Sequence, residues 1–288
     1  MQILLNGLIQ GLLTAVVAIG FAVVYNSTGI FHIAQGAVYA LAPFLLAFFM
    51  QAGVPVIPAV LSAIASAIFL SIFIERFNHW PLHNREASLQ IHLISSLGIY
   101  IAIIQIIALI WGYDARILRG GIDITYTFAN LVITRSQAFG GIASIFLIGS
   151  FFVWMKKTDN GLKFMALADN PIQLSLLGYD IGKLRLLTFG LSGLATASAA
   201  LLNAMDTGYD PHGGLSVVLL AMAATIVGGR GSFAGPIVAG ILLAIIRSQV
   251  VWYSSARWQD TLTFLILVLF LFFRPQGILG KQGRIEST

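Results

Sequence analysis

The sequence has no cysteine and few charges. Without Cys there are no disulfides and no thiolate metal ligands. Only 9% of residues are charged, where a soluble domain carries about 25%. No Asp, Glu, Lys or Arg occurs before Glu75, and 58% of the 288 residues are hydrophobic. That much uncharged chain excludes a soluble globular domain, which would lack polar surface to dissolve. Chemical motifs are missing too. No GxxxxGK[ST] occurs, so the chain has no P-loop of its own, and neither HExxH nor GxSxG is found. No paired carboxylates fall inside the apolar runs, which leaves a membrane-embedded enzyme without a nucleophile and base, and no residues set for a metal. "GRGSFA" fits the dinucleotide fingerprint formally at Gly229, Gly231 and Ala234, but it follows a span rather than a strand. The first apolar run lacks a basic leader and a small-residue cleavage site, so it is expected to be retained as a span.

What remains is long apolar runs broken by Gly and turn formers. A helix needs roughly 20 apolar residues to cross the hydrocarbon. Candidate spans are 3–24, 34–50, 54–74, 92–112, 136–155, 186–205, 215–229, 233–252 and 258–273. Backbone groups in lipid must be satisfied internally. The fold class is therefore an all-α polytopic transmembrane helix bundle of about eight or nine spans, some short or re-entrant. Residues 1–288 form a single transmembrane domain with a polar-studded loop at 156–185, and "NST" at Asn26 is read as a helix break rather than a glycosylation acceptor. Glycine pairs such as Gly7 with Gly11 and Gly231 with Gly235 suit close helix packing.

The net charge of +5 is a matter of topology, with no nucleic acid implied. Arg76 and Arg85 in a loop expected at 75–90, with Lys156, Lys157, Lys163, Lys183, Arg185, Arg230, Arg274, Lys281 and Arg284, fall on one side. Arg116, Arg119, Arg135 and Arg257 fall on the other, while Arg247 lies inside a span and is long enough to snorkel. The positive-inside rule then puts the 156–185 loop and the C-terminus in the cytoplasm, and the N-terminus outside.

Polar groups inside spans are candidates for function by default. Asn26, His32, Gln35 and Tyr39 are the pathway candidates, and the last three recur at helical spacing after the break at Asn26. Such neutral groups suit a pathway for a polar neutral or zwitterionic solute; the other reading is hydrogen bonding between helices. Asp206, Tyr209, Asp210 and His212 form an outer loop that either docks a partner or is merely solvated.

The 156–185 loop carries helix signals. Asp159 or Asn160 stands where an N-cap belongs, and Asn170 before Pro171 is a second cap, with Gly178 as a stop. A helix so short must dock on something. Leu162, Phe164, Met165, Leu167, Ile172, Leu174, Leu176 and Leu177 either pack back on the bundle or insert into a partner. Residues alone leave both open.

The stretch Gly161 to Gly178, with Ala166, Ala168, Asn170 and Pro171 between, resembles the cytoplasmic coupling loop of permeases of bacterial branched-chain amino acid ATP-binding-cassette importers. "AATIVGGRGSFAGPIVAGILLAI" at 223–245 and "WQDTLTFLILVLFLFFRPQGILG" at 258–280 are similar to two further family motifs, so the resemblance spans essentially the whole chain. It implies the smaller of two homologous inner-membrane permeases, paired as a heterodimer. It also implies two cytoplasmic ATPases that hold the ATP and Mg, and a periplasmic or lipid-anchored solute-binding protein. Gly161, Leu162, Lys163, Met165, Ala166, Ala168, Asn170, Pro171, Leu174 and Gly178 would then contact an ATPase. The solute class implied is branched-chain or related small amino acids or amides. Two departures stand out. The family's Asn-Phe-Ala-His-Gly-Glu is replaced by His32-Ile33-Ala34-Gln35-Gly36-Ala37, and its basic residues in the coupling loop are replaced by Leu162 and Met165. A self-contained channel or secondary transporter is the alternative, for which a coupling-ion site would be expected.

Overall fold

The computed structural model describes residues 1–118, 121, 123–128, 131–274 and 276–280; Arg119, Pro275, Lys281 and Arg284 lie outside them. The helices are α1 (Gln2–Thr28), α2 (Gln35–Gln51), α3 (Val56–Ile74), α4 (Trp80–Asn84), α5 (Leu89–Trp111), α6 (Arg135–Lys157), α7 (Asp159–Asp169), α8 (Pro171–Leu176), α9 (Ile181–Asp206), α10 (Gly213–Gly228), α11 (Gly235–Tyr253) and α12 (Trp258–Phe273). Among the described residues, six helical segments are long and apolar enough to cross a membrane, and α2, α10 and α12 are shorter apolar helices. All of the candidate spans are therefore helical, in the order expected. At 16 residues α10 and α12 rise only about 24 Å.

Apolar residues on every side of α1 make it the central helix, with 83% of its apolar window buried, whereas α6 has only 22% buried. α1 lies against α11 and α9, and α9 lies against α3. The closeness comes from glycine. A Cβ on Gly11 would stand 2.9 Å from the backbone Cα of Ile241, and one on Gly193 3.0 Å from that of Ile68. These are the small-residue contacts that bring membrane helices together where lipid gives no hydrophobic drive.

Three local expectations are corrected. Asn26 does not break α1, which runs on to Thr28 and stops at Gly29, in the left-handed region at φ 72°. The stretch after Ile74 is not a loop, because helix continues as a π-helical turn over Glu75–His79 and then α4. Pro81 explains the widening: it lacks an N–H and its ring crowds the carbonyl four residues back, so the preceding turn opens. The cap of α7 is Thr158, one residue before the expected pair. A two-stranded antiparallel hairpin, β1 (Thr125–Phe128) and β2 (Leu131–Thr134), sits at the end of the bundle where α1 begins, and Gln2 Nε2 donates to Val132 O at 2.7 Å. It is a local addition that leaves the all-α class unchanged.

Asn26 is a clamp. Its Nδ2 donates to Ser232 O at 3.2 Å and its Oδ1 accepts from Gly231 N at 3.1 Å, which fixes the turn between α10 and α11. Asn26→Ala leaves both backbone groups without that partner, and a loss of about 1–3 kcal/mol is expected. Thermal melting in detergent reads it, with Asn26→Asp retaining the acceptor and falling between Ala and the native chain.

Candidate functional site: a docking module, a cavity and a buried polar seam

α7 and α8 form a module at the end of the bundle where α1 finishes. Thr158 Oγ1 accepts from Gly161 N at 3.0 Å and starts α7. Gly161 is required where α7 folds back on α6, since a Cβ there would come within 2.6 Å of the Met155 Cα. Phe164 and Leu167 are buried, and Phe164 packs with Met155, Phe233, Ile19 and Val23. Asn170 Oδ1 accepts from Gln173 N at 3.0 Å, Pro171 holds the first helical position, and Gly178 ends the turn at φ 84°. Leu174 is buried beneath α8. Lys163 Nζ lies 5.4 Å from the Tyr179 ring centroid, on the link to α9.

The two readings of the loop's apolar residues are thus divided between them. Phe164, Leu167 and Leu174 pack back, while Leu162, Met165, Ile172, Leu176 and Leu177 point away from the chain. Ile172, Leu176 and Leu177 are 72%, 81% and 74% exposed, the first two on a helix of six residues and the third as its C-terminal cap, just before Gly178. Among the described residues, no other part of the chain covers them.

At the opposite end a cavity of about 540 Å³ opens between α1, α2, α9, α10, α11 and α12. Its polar lining includes Asn6, Gln10, Thr14, Tyr39, Asn203 and Arg247. Tyr39 of α2 and Asn203 of α9 line it together. Arg247 does not snorkel free. Its Nη1 donates to Asp260 Oδ1 at 2.9 Å and Thr263 Oγ1 at 3.0 Å, and its Nη2 donates to Gln259 Oε1 at 3.2 Å. A second cavity of about 240 Å³ lies on the other side of this guanidinium.

Of the four expected pathway residues, only Tyr39 lines the cavity. Gln35 is buried below its floor, where its Nε2 donates to Thr196 Oγ1 at 2.6 Å and to Val17 O at 3.3 Å. His32 lies deeper still, its Nδ1 3.3 Å from His79 Nε2, and His79 Nδ1 is 3.1 Å from His92 Nδ1. His79 faces a different histidine with each ring nitrogen, so the three do not converge on one point; among the described residues no set of three or more His, Asp or Glu is placed to hold a metal. Beyond the histidines, Arg185 Nε and Glu75 Oε1 form an ion pair at 2.6 Å, with side-chain exposures of 4% and 1%.

These contacts form one seam. Arg185, Phe189, Ser192, Thr196 and Asn203 lie along one face of α9, opposite Glu75, His79, His32, Gln35 and Tyr39. Glu75, His79, His92 and Arg185 had no place among the expected site residues. The spacing of polar residues on α9 was a readable signal; the partner at Glu75 was not, being far away in sequence.

The loop at 206–212 is built by its own contacts. Gln137 Nε2 is 3.5 Å from Asp206 Oδ2, the Tyr209 backbone pairs with Arg116 at 2.8 Å, and Asp210 Oδ1 accepts from His212 N at 2.8 Å and Gly213 N at 2.9 Å. The His212 ring stacks on Tyr113 at 5.9 Å. All four residues lie at the cavity end.

A many-pass helical membrane protein with a solute-sized cavity at one end and a bare apolar helix at the other has the build of a transport subunit. Residues 3–271 match the family described as branched-chain amino acid transport system, permease component, and the chain belongs to that family. Among its relatives, the high-affinity branched-chain amino acid transport system permease protein BraD of Pseudomonas aeruginosa is 27% identical over 98% of this chain and 96% of its own length. The corresponding protein LivH of Salmonella typhimurium is 28% identical over the same shares. Of solved structures, PsaBC from Streptococcus pneumoniae in complex with Fab matches with a TM-score of 0.50 and 14% identity, covering 96% of this chain and 93% of that one, a likeness of overall fold.

Proposed function

We propose that this permease carries branched-chain or related small amino acids or amides across the inner membrane within an ATP-binding-cassette importer, and that α7 and α8 seat in its ATPases. The observation that carries the reading is the bare face of Ile172, Leu176 and Leu177 on a module held rigidly from behind by Phe164, Leu167 and Leu174. A contiguous apolar patch of this kind marks a protein contact. The sequence carries no P-loop, which supports assigning ATP and Mg to a partner chain.

The importer contains a second homologous permease as the heterodimer partner, two ATPases and a solute-binding protein that docks near Asp206, Tyr209, Asp210 and His212. The docking module and the C-terminus face the cytoplasm, and the N-terminus and cavity face outward. The cavity falls in the size range of small-molecule sites, about 300–1,000 Å³. Its neutral amides and hydroxyls, with the single guanidinium of Arg247, suit a zwitterion. Its closed floor at Gln35 fits the outward-open half of an alternating-access cycle, whose balance a partner shifts only by contacting the two states differently.

The test is uptake of radiolabelled leucine, isoleucine, valine and urea into proteoliposomes. The complete complex takes up at least one of them with ATP, and this chain alone takes up none. ATP-independent flux through the chain alone would favour the self-contained channel instead.

A further inference from the structure

Across the described residues, the buried side-chain atoms without a hydrogen-bond partner are Glu75 Oε2, Arg185 Nη2, His32 Nε2, Gln35 Oε1 and Ser192 Oγ. All lie on the one seam between α9 and the segments facing it. A buried ion pair repays its desolvation only when the geometry is good and the remaining donors and acceptors are satisfied. Glu75 and Arg185 meet the first condition and fail the second, so stability alone does not account for them. A second arrangement of this seam, in which those atoms are paired or wet, would satisfy them.

The position of the pair says what moves it. Asp180 caps α9, its Oδ1 accepting from Lys183 N at 3.1 Å, and only four residues separate Leu176 at the end of α8 from the first residue of α9. Arg185 lies about one turn further in, so a push on α8 acts on it through a short, capped helix start. Glu75 opens the π-helical turn, a feature that recurs at functional sites. His79 closes the same turn and touches both His32, ahead of α2, and His92, in the first turn of α5. One buried node thus joins the starts of α9, α2 and α5 to the end of the α3 segment.

We propose that Glu75 and Arg185, with His79 behind them, are the positioning residues that pass movement of the α7–α8 module into the bundle. The pair holds the seam shut at rest, and displacement of α8 by the ATPases opens it. This inference rests on the importer reading.

The complete complex in proteoliposomes is compared for the native chain, Glu75→Gln, Arg185→Gln and the exchanged double variant Glu75→Arg with Arg185→Glu. Each single variant is expected to lower solute moved per ATP hydrolysed by about tenfold, the size of an ordinary coupling free energy, and the exchanged pair is expected to restore much of it. A purely structural pair would lower the yield of complex and leave that ratio unchanged, which overturns the proposal. Since the chain has no Cys, Ser192→Cys reports on the seam in an otherwise native protein, even where the charge variants fail to fold. Its reaction with a small maleimide is expected to be slow without nucleotide and about tenfold faster during turnover or with the ATPases trapped as the ADP–vanadate complex. An equal rate in every state overturns the proposal. A native complex without ATP-driven uptake instead overturns the importer reading.

Discussion

Replacing Ile172, Leu176 and Leu177 together by Asp is expected to abolish ATP-driven uptake while the permease still folds and inserts. These side chains are among the most exposed apolar groups on the module, and none contributes to its packing on the bundle. In an ATPase cleft they would be the desolvated anchors that dominate such interfaces, commonly worth 2 kcal/mol or more each. Three buried carboxylates in their place also carry a desolvation penalty. A loss of about 3 kcal/mol or more is a hundredfold or greater weakening of ATPase binding. Co-purification of the ATPases and stimulation of ATP hydrolysis by the binding protein measure it, and both are expected to fall together. Leu174→Asp provides the contrast. Leu174 is buried under α8, so that variant is expected to loosen the module itself and to be seen as proteolysis between 158 and 180. If the triple variant retains ATPase stimulation and uptake, the coupling role of this face is wrong.

The second large effect concerns α10 and α11. Their connection brings Gly228 and Gly235 backbone to backbone, and a Cβ on Gly235 would come within 2.6 Å of the Gly228 carbonyl carbon. No rotamer relieves a clash with main chain. Gly235→Val is therefore expected to displace α11 from α10, together with the packing of α11 along α1 and the Arg247 wall of the cavity. The cost belongs with overpacking and backbone strain, about 3 kcal/mol or more, and is read as loss of the monodisperse peak in detergent. Gly98→Val on α5 is the control, because nothing lies within 4 Å of a Cβ there, and it is expected to behave as the native chain.

The spans were legible because hydrophobic length and glycine breaks act locally. Each apolar run became a helix, and Asn170, Pro171 and Gly178 set a short helix where their backbone preferences require one. The stretch after Ile74 was misread because a charge inside a hydropathy pattern looks like a boundary. Glu75 escapes that rule through Arg185, a partner 110 residues away that nothing local points to. His32 and Gln35 show the same limit from another side. Their spacing suggests one helical face, but α2 starts only at Gln35 and His32 lies ahead of it, so one lies against histidines, the other under the cavity floor. The apolar residues of the 156–185 loop could not be divided without the bundle that buries three of the eight. Thr158 was passed over for the polar residues beside it, although its extended backbone is the conformation an N-cap needs.

The central claim is that the α7–α8 face meets an ATPase. In the native cysteine-free background, Leu177→Cys in the assembled complex is treated with a photoactivatable thiol cross-linker of short reach, with Leu109→Cys on the exposed side of α5 as the comparison. The expected result is a covalent adduct between Leu177→Cys and the ATPase chain whose yield changes with nucleotide, and none from Leu109→Cys. A complex that transports solute yet gives no ATPase adduct from Leu177→Cys would contradict the account.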